Sequence, residues 1–226
     1  MVARQRRILF RTNRHSSLNE LYQISAAGGG NEEPVLLGAA ERAAGLIPSS
    51  IVSSDWSPDG RNLVFSAIES SFYDLWLLPL DSRKPVRFLR ATSDLKQANF
   101  SPDGRFVAYA SNESGRYEVQ VRTFPLSDRK WTVSTNGGYE PRWRRDGREI
   151  YYLSEDRKLM AVSVDAGPLF GVPKALFQTR AYGVNALRTN YVPSRDGKRF
   201  LINTQSGDPA PTPITVVLNW QAGIKK

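Results

Sequence analysis

WSPDGRNLVFSA (56–67) decides the fold, because it returns three times along the chain: as FSPDGRFVAYAS (100–111), WRRDGREIYYLS (143–154) and VPSRDGKRFLINT (192–204). Each copy contains one Asp-Gly pair, whose glycine is Gly60, Gly104, Gly147 or Gly197. The steps between these glycines are 44, 43 and 50 residues. A β-rich unit that repeats at this period is typical of the blades of a β-propeller.

Each copy has the chemistry of a tight hairpin turn. In the third unit Pro102 presets φ at the first corner, Asp103 accepts backbone hydrogen bonds, and Gly104 supplies the positive φ that closes the hairpin. The strand that follows, FVAYA (106–110), is apolar at every position, which predicts burial on both faces. YEVQV (117–121) alternates, which predicts a half-exposed third strand.

Two further predicted strands complete the unit. One is the short segment before each turn, and the other follows the third strand after a polar loop. In the third unit these segments are KQANFS (96–101) and WTVS (131–134). Four antiparallel strands in about 43 residues make one propeller blade. The aromatic residue before three of the turns is expected to pack between neighbouring blades; these residues are Trp56, Phe100 and Trp143.

The whole chain is therefore predicted to be all-β, a single propeller domain over 1–226 with about five blade units. Their approximate bounds are 6–45, 50–92, 94–135, 137–180 and 187–226. The first unit lacks an inner strand, and the last, whose third strand is expected at 214–218, lacks an outer one. We expect an open or partial propeller, with the missing strand and at least one further blade upstream in a larger protein.

Composition excludes several classes of function. There are 0 cysteines, so disulfides, thiolate nucleophiles and thiolate metal sites are excluded. The formal net charge is +9, but the basic residues are scattered and many follow a turn glycine, so no nucleic-acid partner is predicted. No apolar run approaches the ~20 residues that a membrane span needs.

No catalytic, cofactor or metal site is predicted. The turn aspartates recur once per blade, which places them far apart as turn formers rather than as a carboxylate cluster. His15, the single histidine, is expected in an exposed loop, and no G-x-S-x-G elbow accompanies it. Gly28, Gly29 and Gly30 lack the spacing of a phosphate loop and are expected to form a loop between strands.

The strands before the turns are the one reasoned ligand surface, because they line the central channel and are more polar than the strands that follow. Lys96, Tyr139, Glu140 and Arg142 are the candidate contacts for a protein, a peptide or a small ligand at a channel mouth. The alternative is that these side chains line water only. Both interpretations stay open from the sequence.

The [FW]-S-P-D-G-[RK] phrase resembles the WD40-like repeats of bacterial TolB-type propellers, which are similar to those of prolyl oligopeptidase propellers. A closer resemblance is to the C-terminal propellers of bacterial serine/threonine protein kinases. It rests on five stretches: NELYQISAAGGGNEEPVLL (19–37), STNGGYEPRWRRDGREIYYLSEDRKLMAVSV (134–164), PKALFQTR (173–180), DGKRFLINT (196–204) and PITVVLNWQAGIKK (213–226).

The resemblance implies a non-catalytic sensor or docking module attached to a kinase. The module would be periplasmic or otherwise extracytoplasmic if that kinase spans the membrane, and cytoplasmic if it does not. No H-R-D or D-F-G triplet is present, so phosphotransfer is not expected of this chain. The alternative is the substrate-gating propeller of a prolyl oligopeptidase-type serine peptidase.

Overall fold

The fold is given by a computed structural model of the chain, which describes residues 7–14, 20–36, 50–68, 71–165, 169–183 and 189–204. All regular elements in these ranges are strands. They are β1 (Arg7–Thr12), β2 (Glu20–Ser25), β3 (Glu33–Leu36), β4 (Ser50–Trp56), β5 (Asn62–Ile68), β6 (Tyr73–Pro79), β7 (Val86–Leu89), β8 (Leu95–Phe100), β9 (Phe106–Ser111), β10 (Glu118–Thr123), β11 (Lys130–Thr132), β12 (Tyr139–Trp143), β13 (Glu149–Leu153), β14 (Lys158–Asp165), β15 (Leu169–Phe170), β16 (Lys174–Gln178), β17 (Tyr191–Pro193) and β18 (Phe200–Ile202).

The strands form consecutive antiparallel meanders, one for each predicted unit. β4-β5-β6-β7 and β8-β9-β10-β11 are four-stranded sheets, and in the next sheet β12, β13 and β14 are followed by β15 and β16, which both pair with β14. The first unit has three strands, β1-β2-β3, and the last shows β17 paired with β18. The first strands of successive blades lie side by side. The all-β, partial propeller predicted from the repeat is confirmed.

The turns have the predicted geometry. Gly104 has φ +73° and its N–H donates to the Ser101 carbonyl at 2.9 Å. Ser101 has a further role, because its Oγ donates to Asp103 Oδ1 at 2.6 Å and accepts the Phe106 N–H at 2.9 Å. The turn aspartates thus act as local acceptors in their own turns, as expected.

The hydrophobic core lies between blades rather than inside one blade. In the three middle blades the second strands, β5, β9 and β13, are buried on both faces, so alternate side chains contact opposite neighbours. The corresponding strand β18 of the last blade is not buried in this way, since Leu201 is exposed. In β5, Leu63 and Phe65 pack toward the first blade while Val64 packs toward the third. Two aromatic residues that precede turns, Trp56 and Phe100, lie in these shared clusters, and Trp143 packs against the next one.

One strand differs from the sequence-based expectation. The third strand β10, expected to be half exposed, is buried from Glu118 to Val121, and Gln120 accepts a hydrogen bond from the Tyr109 hydroxyl at 3.0 Å. The glycine loop at 28–30 lies between β2 and β3 with positive φ at all three positions, as predicted. His15 and the strand expected at 214–218 lie outside the described residues. None of the described segments is a helix long and apolar enough to cross a membrane.

Candidate functional site

The inner strands β4, β8 and β12 each contain an irregularity in their pairing with the next strand, and in β8 and β12 it accompanies polar contacts with the neighbouring blade. The pairing of β8 with β9 shifts between Lys96 and Asn99, and that of β12 with β13 shifts between Tyr139 and Arg142. Gln97 and Glu140, at equivalent positions, have φ +58° and +56°. A residue with a side chain rarely adopts this region, so the geometry is imposed by the contacts around it.

These two residues begin a relay of hydrogen bonds from blade to blade. The Glu140 N–H donates to Gln97 Oε1 at 2.9 Å. The Glu140 carboxylate in turn accepts the Asn190 N–H at 2.5 Å and the Asn190 Nδ2–H at 2.6 Å, and the Glu140 carbonyl accepts the Tyr191 hydroxyl at 2.8 Å. Gln97, Glu140 and Asn190 occupy the same position of three successive blades, so one repeat position links all three.

Glu140 is only 1% exposed. Burial raises its pKa, and the two hydrogen bonds from Asn190 and the nearby Arg142 charge oppose that rise. Its side chain is therefore committed to the junction between the fourth and fifth blades. A ligand could reach it only after that junction opens.

Lys96 lies in a second buried cluster at the start of β8. Its Nζ donates to Asp94 Oδ2 at 2.7 Å and to the Tyr117 hydroxyl at 3.0 Å, and it lies 4.4 Å from the centre of the Tyr73 ring. Burial alone would raise the pKa of Asp94, but hydrogen bonds from Lys96, the Tyr73 N–H and Tyr117 together lower it. The ammonium charge is thus neutralised within the fold.

Tyr139 joins this cluster through ring contact. Its ring centre lies 5.2 Å from that of Tyr117, and its side chain is half-buried. Burial raises the pKa of Tyr139, with the Glu155 and Glu118 carboxylates adding to the rise. The Tyr139 side chain is thus partly accessible beside the buried Lys96 ammonium group.

Arg142 lies at the other end of the same strand, near the turns. Its Nη1 donates to Asn99 Oδ1 at 2.5 Å and its Nη2 to Thr189 Oγ1 at 2.7 Å, so it bridges three blades through neutral acceptors. Among the residues that the structure describes, it forms no ion pair. It lines a cavity of about 520 Å³, together with residues of the neighbouring turns.

The four predicted residues are therefore not one constellation. Lys96 and Tyr139 meet through Tyr117, Glu140 is enclosed at a blade junction, and Arg142 faces the cavity at the turn end. The residues that connect them were not chosen as candidate contacts from the sequence, although three of the four lie in the inner segments to which it pointed. They are Asp94, Gln97, Asn99 and Asn190. The signal that could have found two of them is the repeat itself. Gln97, Glu140 and Asn190 each lie seven residues before the glycine of the following turn, so an alignment of the repeats places them at one position.

Within the described ranges, no group of three or more His, Cys, Asp or Glu side chains could hold one metal ion. The acidic side chains Asp55 and Glu140 of the inner strands accept hydrogen bonds from neighbouring blades. The Asp55 carboxylate accepts the Phe100 N–H at 3.0 Å, which is a further link between blades.

Residues 89–164 match the family model of the prolyl oligopeptidase N-terminal β-propeller domain, about a third of the chain. No curated protein sequence matches the chain significantly. Similar solved structures include TolB from Agrobacterium tumefaciens, which is 17% identical with a TM-score of 0.62. The match covers 80% of this chain and 63% of that one.

Two further structures show the same architecture. TolB from Acinetobacter baumannii is 15% identical with a TM-score of 0.56, over 86% of this chain and 50% of that one. A puromycin-hydrolyzing peptidase from Mycobacterium tuberculosis is 18% identical with a TM-score of 0.57, over 85% of this chain and 34% of that one. The chain thus spans between a third and just under two thirds of these proteins, and the likeness shows a TolB-type β-propeller fold.

Proposed function

We propose that this chain is a non-catalytic binding module, which presents the two ends of its channel to a protein, peptide or small-ligand partner. The observation that carries the proposal is the set of polar inner strands, which places a half-buried tyrosine at one end and a cavity lined by Arg142 at the other. Of the four candidate contacts, Tyr139 and Arg142 are the accessible ones. Lys96 and Glu140 support them by holding the blades in register.

The parent protein that we propose is a bacterial serine/threonine kinase with this propeller at its C-terminal end. The support is the sequence resemblance over 19–37, 134–164, 173–180, 196–204 and 213–226. In such a protein the propeller would act as the sensor or docking part, while phosphotransfer would belong to a separate domain.

A second candidate is the substrate-gating propeller of a serine peptidase of the prolyl oligopeptidase type. It is favoured by the family match over residues 89–164 and by the likeness to a peptidase structure. Such a propeller also works without catalytic residues of its own. The two candidates differ in the partner domain: a kinase domain in the first and an α/β-hydrolase domain in the second.

A binding screen with channel variants tests the module proposal. The full chain is screened by thermal shift against a panel of synthetic peptides and common metabolites, and each hit is repeated on Tyr139→Ala, Arg142→Gln and the control Arg148→Ala. We expect hits that raise the unfolding temperature of the wild type and the control but not of one channel variant. An empty screen, or hits that ignore both channel variants, would refute the proposal.

A further inference from the structure

The cavity that contains Arg142 is built from one repeating position of the fold. Four successive blades each contribute to its lining the residue two positions before the turn glycine. These residues are Pro58, Pro102, Arg145 and Arg195. Successive turns contact one another, since a Cβ on Gly104 would meet the Pro58 ring at 3.5 Å. The cavity therefore lies where the turns converge at the end of the channel.

Arginine dominates the charged lining of this cavity. Among the described residues that line it, Arg142, Arg145 and Arg195 are basic and none is acidic. A neighbouring cavity of about 400 Å³ between the third and fourth blades is lined by two arginines, but three aspartates accompany them: Asp103, Asp146 and Asp165. The excess of arginine is thus a property of the channel end and not of the basic surface in general.

The two turn arginines replace the residue that best suits their position. Pro58 and Pro102 occupy the first corner in two blades, where a fixed φ near −65° favours the turn. Arg145 and Arg195 give up that advantage at the same corner and expose their side chains at the cavity. Departures from the locally favoured residue concentrate at functional positions.

The walls of the cavity suit a ligand with an apolar body. Phe100, Trp143, Val192 and Pro193 contribute to its lining. Arg142 Nη1 and Nη2 each donate one hydrogen bond to a neutral acceptor, so each of these nitrogens keeps a second N–H. A positioned guanidinium with spare donor capacity is suited to a carboxylate, which accepts two parallel N–H bonds.

We propose that this cavity is a binding site for an organic carboxylate, a ligand with an apolar body and two or more carboxylate groups that Arg142, Arg145 and Arg195 bind. The inference rests on the proposed binding function and names its ligand chemistry. A volume of about 520 Å³ falls in the range of small-molecule sites, roughly 300–1,000 Å³. The carboxylates could belong to a free organic acid or to acidic side chains of a peptide.

Isothermal titration of the full chain with defined probes tests this site. The probes are trimesate, a benzene ring with three carboxylates; trimesamide, its neutral counterpart; and a short peptide of alternating glutamate and tyrosine. We expect a carboxylate probe to bind, and trimesamide not to bind. Tighter binding of trimesate would assign the ligand to free organic acids, and tighter binding of the peptide would assign it to acidic peptides.

The decisive variant is Arg145→Pro with Arg195→Pro, which gives the fourth and fifth turns the corner residue of the second and third. It removes both charges without disturbing the turn, so its unfolding midpoint should be unchanged or higher. We expect carboxylate binding to weaken about tenfold or more for each arginine removed. The matched control, Arg105→Ala with Arg148→Ala, removes the same charge from the neighbouring cavity and should bind as the wild type does.

Three results would overturn the carboxylate site: equal weakening in both double variants, binding of trimesamide as tight as that of trimesate, or no binding of either carboxylate probe. If the carboxylate probes fail while hits from the wider screen still depend on Tyr139, the binding function stands and only this ligand assignment is wrong. If both experiments fail, the module proposal fails with it.

Discussion

Replacing Glu140 tests whether the polar relay between blades stabilises the propeller. The carboxylate is 1% exposed and accepts two hydrogen bonds from Asn190, at 2.5 and 2.6 Å. In Glu140→Ala the buried Asn190 backbone N–H loses its acceptor, and the Asn190 Nδ2 keeps only a long hydrogen bond of 3.4 Å to the Gly183 carbonyl. A buried donor left unsatisfied costs about 1–3 kcal/mol, and loss of the charge-assisted hydrogen bond costs a similar amount. Part of this loss is offset, because the variant no longer has to bury a carboxylate. We expect a net loss of about 2 kcal/mol.

Two further substitutions at the same position separate the side chain from the backbone. Glu140→Gln keeps the volume and one acceptor, and the Asn190 amide can flip to offer its unpartnered Oδ1, so we expect a loss of about 1 kcal/mol. In an ordinary strand glycine is less stable than alanine by about 0.5–1 kcal/mol. Because φ is +56° here, Glu140→Gly should instead be at least as stable as Glu140→Ala.

The dependence on pH follows from the raised pKa of Glu140, which burial causes. A carboxyl whose pKa is higher in the folded state binds more protons folded than unfolded above its ordinary pKa of about 4.3. The stability of the wild type therefore falls as pH rises through that window, whereas glutamine does not titrate. We expect the loss caused by Glu140→Gln to be larger at about pH 4 than at about pH 7.

Urea unfolding followed by tryptophan fluorescence and far-ultraviolet circular dichroism measures all four effects. The reasoning would be refuted if Glu140→Ala lost less than about 0.5 kcal/mol, which is the range of an ordinary surface substitution. It would also fail if Glu140→Gly were clearly less stable than Glu140→Ala. The first result would mean that the junction does not depend on the Asn190 contacts, and the second that the positive φ at position 140 does not disfavour a side chain.

Three further predictions use the same urea titration. Lys96→Met should lower the free energy of unfolding by about 2 kcal/mol near neutral pH, because it removes the ion pair that helps keep the pKa of Asp94 low. The difference in stability between Lys96→Met and the wild type should vanish as acid protonates Asp94, and a difference that stays constant with pH would contradict this. Phe100→Ala, at 1% exposure between the second and third blades, should lose about 3–5 kcal/mol. Ser101→Ala should lose about 1 kcal/mol, because the Phe106 N–H loses its acceptor, and a neutral effect would show that the turn does not need the hydroxyl.

The repeat made the blade architecture predictable, because each turn is determined by neighbouring residues. Pro102, Asp103 and Gly104 form their turn through contacts within a few positions, and the same holds at the other three copies. The apolar runs of β5, β9 and β13 likewise predicted burial on both faces, because the pattern is read from neighbouring residues. The burial of β10 was harder to predict, since Glu118 and Gln120 look like exposed residues until their buried partners, Ser134 and Tyr109, are known.

The sequence did not show how the candidate residues divide among separate clusters. The polarity of the inner strands drew attention to Lys96, Tyr139, Glu140 and Arg142, whose proposed contacts with a ligand await experiment. Nothing in the sequence distinguishes a lysine that is neutralised by Asp94 from one that faces a ligand. That distinction depends on which side chains the folded blades bring within hydrogen-bonding distance.

By itself, the sequence determined the kind of blade, the order of its strands and the residues of its turns, since these depend on interactions between residues close in the chain. The tertiary structure decided which polar groups meet across blades, because Gln97, Glu140 and Asn190 are 43 and 50 residues apart and contact only after the blades pack. It also decided that arginines from two different turns share one cavity. Spacing along the chain does not report such convergence, because it arises from the packing of whole blades around an axis.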